Sequence, residues 1–412
     1  MTTPARPPLA RGALPLLLIP LVALPSLAII LSGDLSGRAG YDQSNFHEPA
    51  IRSFAAHLPA PDLRDYPSAT TPLYHLVLAL IARLIHDSRE FLQGCGLVFS
   101  ATLVWLLGTR AARRTPHLAL DAAPFAASMY VLASAAWLLP DNAGWLGVLG
   151  VLLLALRDRA STWTFPAAGL CLLALVLTRQ VHLWAAAPIW AAAFLSSGRH
   201  PGLALLRASW TLPAFAAVVA FYSLWGGLVP PSFQGQYPRA INPAAPAFIL
   251  SLLGGFGVFY SIHLVPALRH PRRWTIPAAM LAAALLALAF PTSFDKEAGR
   301  WSGLWNVARD LPAPAGRSLL IVPLAALGGG ILAAWALVLP RNSALVLGSA
   351  LAGFVAAQSA SLQLWQRYNE PFVLMLLALA ASSLESSGPG RRWIGPTLLA
   401  ALLGAFSLGA HF

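Results

Sequence analysis

The chain has 412 residues, of which 57% are hydrophobic and only 10% are charged. An ordinary soluble domain carries about 25% charged residues, so this composition excludes a soluble globular protein. The formal net charge is +12, but the basic residues form short clusters between apolar runs. Such clusters are typical of cytoplasmic membrane loops, and we therefore expect no nucleic-acid binding.

Apolar runs recur along the whole chain, from residues 14–31 to residues 397–410. Each run has about 16 to 20 residues and can cross roughly 30 Å of hydrocarbon as a helix. The sequence therefore predicts an all-α, polytopic transmembrane helical bundle with about 13 spanning helices in a single domain, residues 1–412. The first run has no small-residue cleavage site after it, so we expect a retained helix rather than a signal peptide.

The arginine clusters predict the orientation of the loops, because short cytoplasmic loops are enriched in basic residues. The clusters placed in the cytoplasm are Arg110/Arg113/Arg114, Arg157/Arg159, Arg199, Arg269/Arg272/Arg273, Arg341 and Arg391/Arg392. The external segments are then residues 33–90, 139–144, the region of Arg179, and residues 226–246, 292–317 and 365–371. This assignment requires residues 70–87 to form an interfacial or re-entrant helix, so the long first external loop, 33–90, carries interfacial helices.

The first external loop is unusually rich in acids, histidine and proline. It contains Tyr41-Asp42-Gln43-Ser44-Asn45-Phe46-His47-Glu48-Pro49 and Arg64-Asp65-Tyr66-Pro67-Ser68-Ala69-Thr70-Thr71-Pro72-Leu73-Tyr74. A carboxylate at this position can act as a general base on an acceptor hydroxyl, and Asp42 is the better candidate. Alternatively, Asp34, Asp42, Asp62 and Asp65 are solvated acids that shape turns.

Two polar sites follow on the same predicted face. Asp141-Asn142 comes after Pro140, where it can approach the first loop or serve as a helix cap. Arg179-Gln180 interrupts the apolar stretch 163–195, and an ionisable residue there indicates a functional site. The alternative is a helical hairpin whose tip, Arg179, contacts lipid headgroups.

Arginines also occur in the two late external loops. Arg300 lies in Asp295-Lys296-Glu297-Ala298-Gly299-Arg300-Trp301, and Arg367 in Gln366-Arg367-Tyr368-Asn369-Glu370-Pro371. Arg binds phosphate bidentately and keeps its charge, so Arg367 suits a polyprenyl-phosphate leaving group. The alternative is an interfacial anchor with Trp365 and Tyr368.

The sequence shows no Cys/His metal spacing and no phosphate-cradling loop, and it therefore predicts neither a metal nor a cofactor.

In their shared order, these motifs resemble the C-type glycosyltransferases, and among them the eukaryotic dolichyl-phosphoglucose α-1,2-glucosyltransferases. The residues that carry the resemblance are Asp42 ahead of Phe46-His47-Glu48-Pro49, Asp65 to Tyr74, Asp141, Arg179-Gln180, Gly226-Gly227, and Arg367-Tyr368 with Pro371. The resemblance extends over most of the chain.

The resemblance implies an inverting, metal-independent transfer of a sugar, a hexose such as glucose, from a polyprenyl-phosphate donor in the membrane lipid to a glycan or glycolipid acceptor. Asp42 would be the catalytic base, and Arg367, helped by Arg300 or Arg179, would meet the donor phosphate. The expected substrate-binding residues are Asp65, Tyr66, His47, His75, Asp141, Arg179, Gln180, Arg300, Arg367 and Tyr368. The active site would face the periplasm of a bacterial inner membrane.

Two other functions are compatible with the sequence. A flippase or transporter of a lipid-linked glycan would line a pathway with Arg and Asp, and its signature would be charges buried in mid-membrane. A polymerase or ligase of surface polysaccharide would also place Arg and Asp outside, but in one large late loop, whereas the densest loop here is the first.

Overall fold

The computed structural model describes residues 14–113, 115–157, 159–237, 240–384 and 391–409. Throughout these residues the secondary structure is helical, and the one extended pairing is an isolated antiparallel bridge between Asp295 and Arg300. The all-helical prediction is confirmed for this part of the chain. Arg114, of the first predicted basic cluster, lies outside the described residues. Arg159, of the second cluster, lies within them.

Three consecutive α-helices of the first half, from Gly37 to Leu84, lie in the long first loop, and the others lie before or after it. Their bounds are Ile19–Ser32, Gly37–Asp42, Glu48–His57, Leu73–Leu84, Arg89–Ala111, Ala123–Ala126, Met129–Ala136, Asp141–Ala155, Thr164–Thr178, Ala186–Ser197, Pro201–Ala208 and Leu212–Trp225. A π-helical segment, Gln43–His47, connects the second and third of them. Short 3-10 helices cover Pro116–Ala122, Gln180–Ala185, Ser209–Thr211 and Pro231–Gln236.

The second half contains further helices of the bundle and a long loop between Thr275–Ala289 and Ile321–Val338. The α-helices are Ala245–Gly257, Val265–Leu268, Thr275–Ala289, Leu304–Arg309, Ile321–Val338, Arg341–Ser359, Gln366–Ser383 and Ile394–Gly409, with 3-10 helices at Val258–Leu264 and Pro314–Gly316. Helix Ala245–Gly257 packs closely on Ile321–Val338. Glycines permit this approach, because a Cβ at Gly254 would overlap the Leu324 carbonyl and one at Gly328 would overlap the Leu250 carbonyl.

Five helical segments among the described residues are long and apolar enough to cross a membrane, or six if one bent pair counts as a span. They are Leu14–Ser32, Arg89–Ala111, Pro201–Trp225, Ala245–Leu268 and Pro314–Val338, with the pair Pro116–Ala126 and Met129–Ala136 bent by 75°. These segments are consistent with a multi-pass membrane protein. The larger number of about 13 spans remains a prediction, because several apolar helices such as Asp141–Ala155 have only 15 residues and measure about 22 Å.

Helix Leu73–Leu84 agrees with the non-spanning interpretation of residues 70–87. Its 12 residues measure about 18 Å, well short of the roughly 30 Å hydrocarbon layer. It packs against Glu48–His57, another helix of the first loop. The long first loop therefore carries several short helices, as the sequence predicts.

The central element of the bundle is helix Gln366–Ser383, in which every residue from Asn369 onwards is buried. It packs against Arg89–Ala111, Ala245–Gly257 and Arg341–Ser359. Burial on all sides explains why its apolar residues continue around the whole helix. Its first turn, which carries Arg367, projects from this fixed core towards the first loop.

Candidate active site

The candidate active site is a cluster of two carboxylates and two guanidinium groups, Asp42, Asp141, Arg179 and Arg367, which we call the charge cluster. Arg367 donates through Nη1 to Asp42 Oδ2 at 2.7 Å and through Nη2 to Asp141 Oδ2 at 2.8 Å. Arg179 donates to the other oxygen of Asp141. Residues up to 325 positions apart in the chain therefore form one continuous network.

Local structure explains how each member reaches the cluster. Asp141 is the first residue of helix Asp141–Ala155, where the helix dipole favours a negative charge, and its side chain does not cap that helix. Arg179 is an extended residue, φ −150°, between helix Thr164–Thr178 and a 3-10 turn. Arg367 lies in the first turn of the central helix. Helix ends from three parts of the chain thus converge on one face.

Asp42 occupies the end of the short helix Gly37–Asp42, directly before the π-helical segment. Besides Arg367, it lies 3.4 Å from Arg38, one helical turn earlier. The Asp42 side chain is 13% exposed and that of Arg38 is 68% exposed. Asp42 is therefore the carboxylate of the cluster that borders the accessible first loop, whereas Asp141, at 5% exposure, is enclosed.

An aromatic wall borders the two arginines. The guanidinium carbons of Arg179 and Arg367 lie 5.1 and 5.7 Å from the centre of the Tyr368 ring, within cation–π range. Tyr368 stacks on Trp365 at 5.5 Å, and Trp365 meets Trp301 edge-on at 5.0 Å. The loop that carries Trp301 and the start of helix Gln366–Ser383 thus contribute one continuous set of rings beside the charge cluster.

A buried polar layer holds the loop that carries Asp42. Gln43, which is 0% exposed, accepts hydrogen bonds through its amide oxygen from Gln93 and from the Leu138 backbone N–H, both at 3.0 Å. Its amide nitrogen donates to Glu48. These bonds attach the π-helical segment to helix Arg89–Ala111 and to the chain before Asp141. The position of Asp42 is therefore set by its buried neighbour in sequence.

Glu48 anchors the other end of this segment. It accepts from Arg52 at 2.7 Å and from Arg89 at 2.8 Å. Burial alone raises the pKa of Glu48, but the hydrogen bonds from Arg89 and Arg52 outweigh it and hold the pKa below its ordinary value. Glu48 is thus a stable anion that ties the first loop to helix Arg89–Ala111.

His47 and His75 form a buried, stacked pair. His47 Nδ1 lies 3.0 Å from His75 Nε2, and the rings are 5.2 Å apart at 17°. One nitrogen must donate and the other accept, so this bond cannot exist when both rings carry two protons. Burial, together with the nearby His75 and Arg367, holds the pKa of His47 well below its ordinary value. Both residues support the loop behind Asp42 as a neutral pair.

Gln180 connects loops rather than pointing at the charge cluster. Its amide nitrogen donates to the Ala69 carbonyl at 2.9 Å and to the Leu228 carbonyl at 2.7 Å, and its oxygen accepts from the Thr71 N–H at 3.1 Å. These bonds give Gln180 a positioning role, and its role in substrate binding stays a prediction. It joins the first loop to the Gly226-Gly227 turn beside Arg179.

Asp65 and Tyr66, for which the sequence predicts sugar recognition or a role in loop shape, make their described hydrogen bonds within and between loops. Asp65 accepts a hydrogen bond from the Ser232 hydroxyl at 2.8 Å. The Tyr66 hydroxyl donates to the Thr70 carbonyl at 2.5 Å, and the ring is 5% exposed. Proline-rich loops need such side-chain bonds because few of their backbone groups pair with one another. Both residues shape the loop.

Arg300 is also engaged away from the charge cluster. It donates to the Asp295 carboxylate at 3.2 Å and to the Ser293 carbonyl at 2.8 Å. Burial lowers its pKa from the ordinary value, while the Asp295 charge acts in the opposite direction. Its expected help to Arg367 is not seen in the described contacts, because the bridge between Asp295 and Arg300 closes its own hairpin.

Sequence reasoning missed the residues that support the site. Arg38 precedes Asp42 by one helical turn, and this i, i+4 spacing was available as a signal. Gln93 is a buried amide in an otherwise apolar spanning helix, which is a recognisable marker of an internal partner. Trp301 carried no usable signal, because its edge-on contact with Trp365 joins two segments that are far apart in sequence.

Several buried polar atoms beside the site lack a hydrogen-bond partner among the described residues. They are Arg179 Nε, Trp365 Nε1, Gln363 Oε1 and Ser302 Oγ. Buried polar groups are paired in most folded proteins, and these atoms are available to bond a polar ligand. Within the described ranges, no group of three or more His, Cys, Asp or Glu side chains is placed to hold a metal ion.

No protein-family model matches the chain, and neither the curated proteins nor the solved structures contain a significant match to it. The geometry of the site is therefore the basis for the proposed function.

Proposed function

We propose that the chain is an inverting, metal-independent glycosyltransferase that moves a sugar, a hexose such as glucose, from a polyprenyl-phosphate donor to an acceptor hydroxyl. The observation that carries the proposal is the double ion pair of Arg367 with Asp42 and Asp141, at 2.7 and 2.8 Å. This arrangement holds a phosphate-binding side chain against a carboxylate that borders the accessible loop. Such a reaction needs both groups within the reach of one sugar.

In the proposed reaction, the acceptor oxygen attacks the anomeric carbon and the bond from that carbon to the phosphate oxygen breaks. The acceptor proton passes to a carboxylate oxygen of Asp42. The bonding electrons leave with the phosphate, whose negative charge is stabilised by Arg367 and Arg179. Attack from the side opposite to the phosphate inverts the anomeric centre.

The ion pairs give Arg367 a second role before the donor binds. The donor phosphate would compete with the carboxylates for the guanidinium group, because phosphate is also a bidentate acceptor for Arg. Displacement of Asp42 from Arg367 would release the carboxylate towards the acceptor, while Asp141 would remain bound between the arginines. Binding of the donor and activation of the base would then be coupled.

The remaining features support the same proposal at a coarser level. The rings of Trp301, Trp365 and Tyr368 suit the apolar face of a sugar ring. The unpaired polar atoms beside them suit its hydroxyl groups. We place the site on the external face of a bacterial inner membrane, in a bundle of the C-type glycosyltransferase kind with about 13 spans. Its partners would be the lipid-linked donor and a glycan or glycolipid acceptor.

The direct test is transfer of radiolabelled sugar from polyprenyl-phosphate donors by the purified, folded protein. We expect Asp42→Asn to lower the rate roughly 10²–10⁴-fold, the usual cost of losing a general base. Asp62→Asn is the matched control, because Asp62 is an exposed acid of the same loop that accepts a bond from the Arg64 N–H. Undiminished transfer by Asp42→Asn would assign the base to another carboxylate, first Asp141.

A lipid-linked-glycan flippase is the second candidate, and the buried Glu370 favours it. Glu370 is 1% exposed, bonds Ser128 at 2.6 Å and Gln366 at 2.6 Å, and lines an apolar cavity of about 250 Å³ beside the central helix. An acid buried this way is frequent in transport pathways. Movement of glycolipid across liposomes without transfer from any donor would favour this function over the transferase.

A further inference from the structure

A second arginine cluster lines a pocket at the opposite end of the bundle. The pocket has a volume of about 550 Å³ and is lined by Arg110, Arg113, Arg157, Arg341, Asn342 and Ser383, among others. Three predicted cytoplasmic clusters, separated by long stretches of sequence, therefore meet in one cavity. We call it the basic pocket.

Two helices connect the basic pocket to the charge cluster and show that the two lie at opposite ends. Helix Asp141–Ala155 begins at the charge cluster, and Ala155 lines the basic pocket about 21 Å along the helix axis. Helix Gln366–Ser383 begins beside Arg367, and Ser383 lines the pocket about 26 Å away. The separation approaches the thickness of a membrane hydrocarbon core.

Three of the four arginines that line the basic pocket differ from ordinary structural arginines. Arg113, Arg157 and Arg341 are exposed, and their side chains have no hydrogen-bond or ion-pair partner among the described residues. Asp158, the neighbour of Arg157 in sequence, lies outside those residues. Guanidinium groups that converge on one cavity repel one another, so the cavity carries a field that attracts anions.

Helix ends account for only part of this arrangement. Arg157 follows the last turn of helix Asp141–Ala155, where the dipole favours a cation. Arg341, in contrast, is the first residue of helix Arg341–Ser359, where the dipole disfavours a cation and the backbone N–H groups of Arg341, Asn342 and Ser343 point out of the helix. An anion in the pocket would satisfy both these amides and the guanidinium groups.

We infer that the basic pocket binds a phosphate group, presented either by an anionic lipid headgroup or by a soluble phosphate compound. Arg binds phosphate oxygens bidentately, and a cavity of this volume accommodates a whole headgroup. The pocket is independent of the proposed transfer reaction, because it lies at the other end of the bundle from the charge cluster.

The test uses the full chain in nanodiscs of phosphatidylcholine with a minor fraction of phosphatidylglycerol. Native mass spectrometry counts the phosphatidylglycerol molecules retained per protein. We expect the triple variant R113Q/R157Q/R341Q to weaken retention roughly tenfold or more, because charge-assisted hydrogen bonds are lost. The control triple variant R269Q/R272Q/R273Q removes the same charge from an exposed loop on the same predicted face and should retain the lipid.

A second arm distinguishes the source of the phosphate. Inorganic phosphate and glycerol phosphate are titrated by calorimetry into protein in nanodiscs of phosphatidylcholine alone. Binding that disappears in the pocket variant assigns the site to a soluble phosphate, whereas binding only of phosphatidylglycerol assigns it to the lipid. Equal retention by the pocket and control variants, with no soluble phosphate bound, would overturn the inference. R157K and R341K, which keep the charge but lose the bidentate geometry, replace the triple variant if it fails to fold.

Discussion

The two ends of the bundle use arginine in opposite ways. In the charge cluster, Arg179 and Arg367 are largely buried, and each pairs with a carboxylate. In the basic pocket, Arg157 and Arg341 are exposed and no described carboxylate pairs with them. Both ends belong to the same helices, so the difference comes from the loops. The first loop supplies Asp42 and the first residue of helix Asp141–Ala155 supplies Asp141, whereas the other end has short basic connections.

The comparison indicates two different functions for the same side chain. A paired, enclosed arginine keeps a fixed geometry and can be matched to one reacting phosphate. An exposed, unpaired arginine attracts anions but constrains them less. Substitutions in the charge cluster should therefore affect stability more than substitutions in the basic pocket.

The largest effect on stability is expected for Asp141→Ala. It leaves Arg179 and Arg367 without their shared carboxylate, and removing one partner of a buried ion pair costs about 3–5 kcal/mol of the free energy of unfolding. The measurement is unfolding of the purified protein in mixed micelles.

Asp295→Ala is the matched control for Asp141→Ala, because Asp295 is also paired with an arginine but its side chain is 42% exposed. We expect it to cost less than about 1 kcal/mol. The double variant Asp141→Ala/Arg179→Gln should lose less than the sum of the single variants, since the two residues are in contact. If Asp141→Ala and Asp295→Ala lower the free energy of unfolding equally, the burial of the Asp141 ion pairs does not add to stability.

The second prediction concerns acid. Because the pKa of His47 in the folded chain is well below its ordinary value of 6.5, the unfolded chain takes up a proton below about pH 6.5 that the folded chain does not. Stability should therefore fall as the pH falls below this value, by at most about 1.4 kcal/mol per pH unit for one proton.

The groups that face His47 are His75, Arg367, Asp141 and Arg179, and three of these four belong to the charge cluster. Unfolding of the wild type and of His47→Gln is measured between pH 7 and pH 5, and the slope should be shallower in the variant. His200→Gln, in a loop on the opposite predicted face, is the control. An unchanged slope in His47→Gln would mean that other groups cause the acid sensitivity.

The smallest effect is expected at the basic pocket. Arg341→Gln, measured in neutral lipid, should change the free energy of unfolding by no more than about 0.5 kcal/mol, because the side chain has no described partner to lose. Arg367→Gln should cost several times more. A loss of several kcal/mol from Arg341→Gln would mean that the pocket arginines are paired in the folded protein and would remove the contrast between the two ends.

Composition and local pattern were enough to predict the helical class and the places where the helices are interrupted. Few charges and long apolar runs can only fold as helices in lipid, because every backbone N–H and C=O must pair within its own segment. The break at Arg179 and the short helix Leu73–Leu84 were also predictable, since polar residues interrupt the apolar runs there. Asp42, Asp141 and Arg367 were identified as candidates for the same local reason.

Which of these polar residues come into contact depends on how the helices pack. Arg367 reaches Asp42 across 325 positions and Asp141 across 226, and no local pattern encodes such pairings. The same limit applies to Asp65 and Arg300, which looked equivalent to the cluster residues in sequence but bond Ser232 and Asp295 instead. Short polar segments at helix ends can turn towards several neighbours, and the packing of the buried helices around Gln366–Ser383 selects among them.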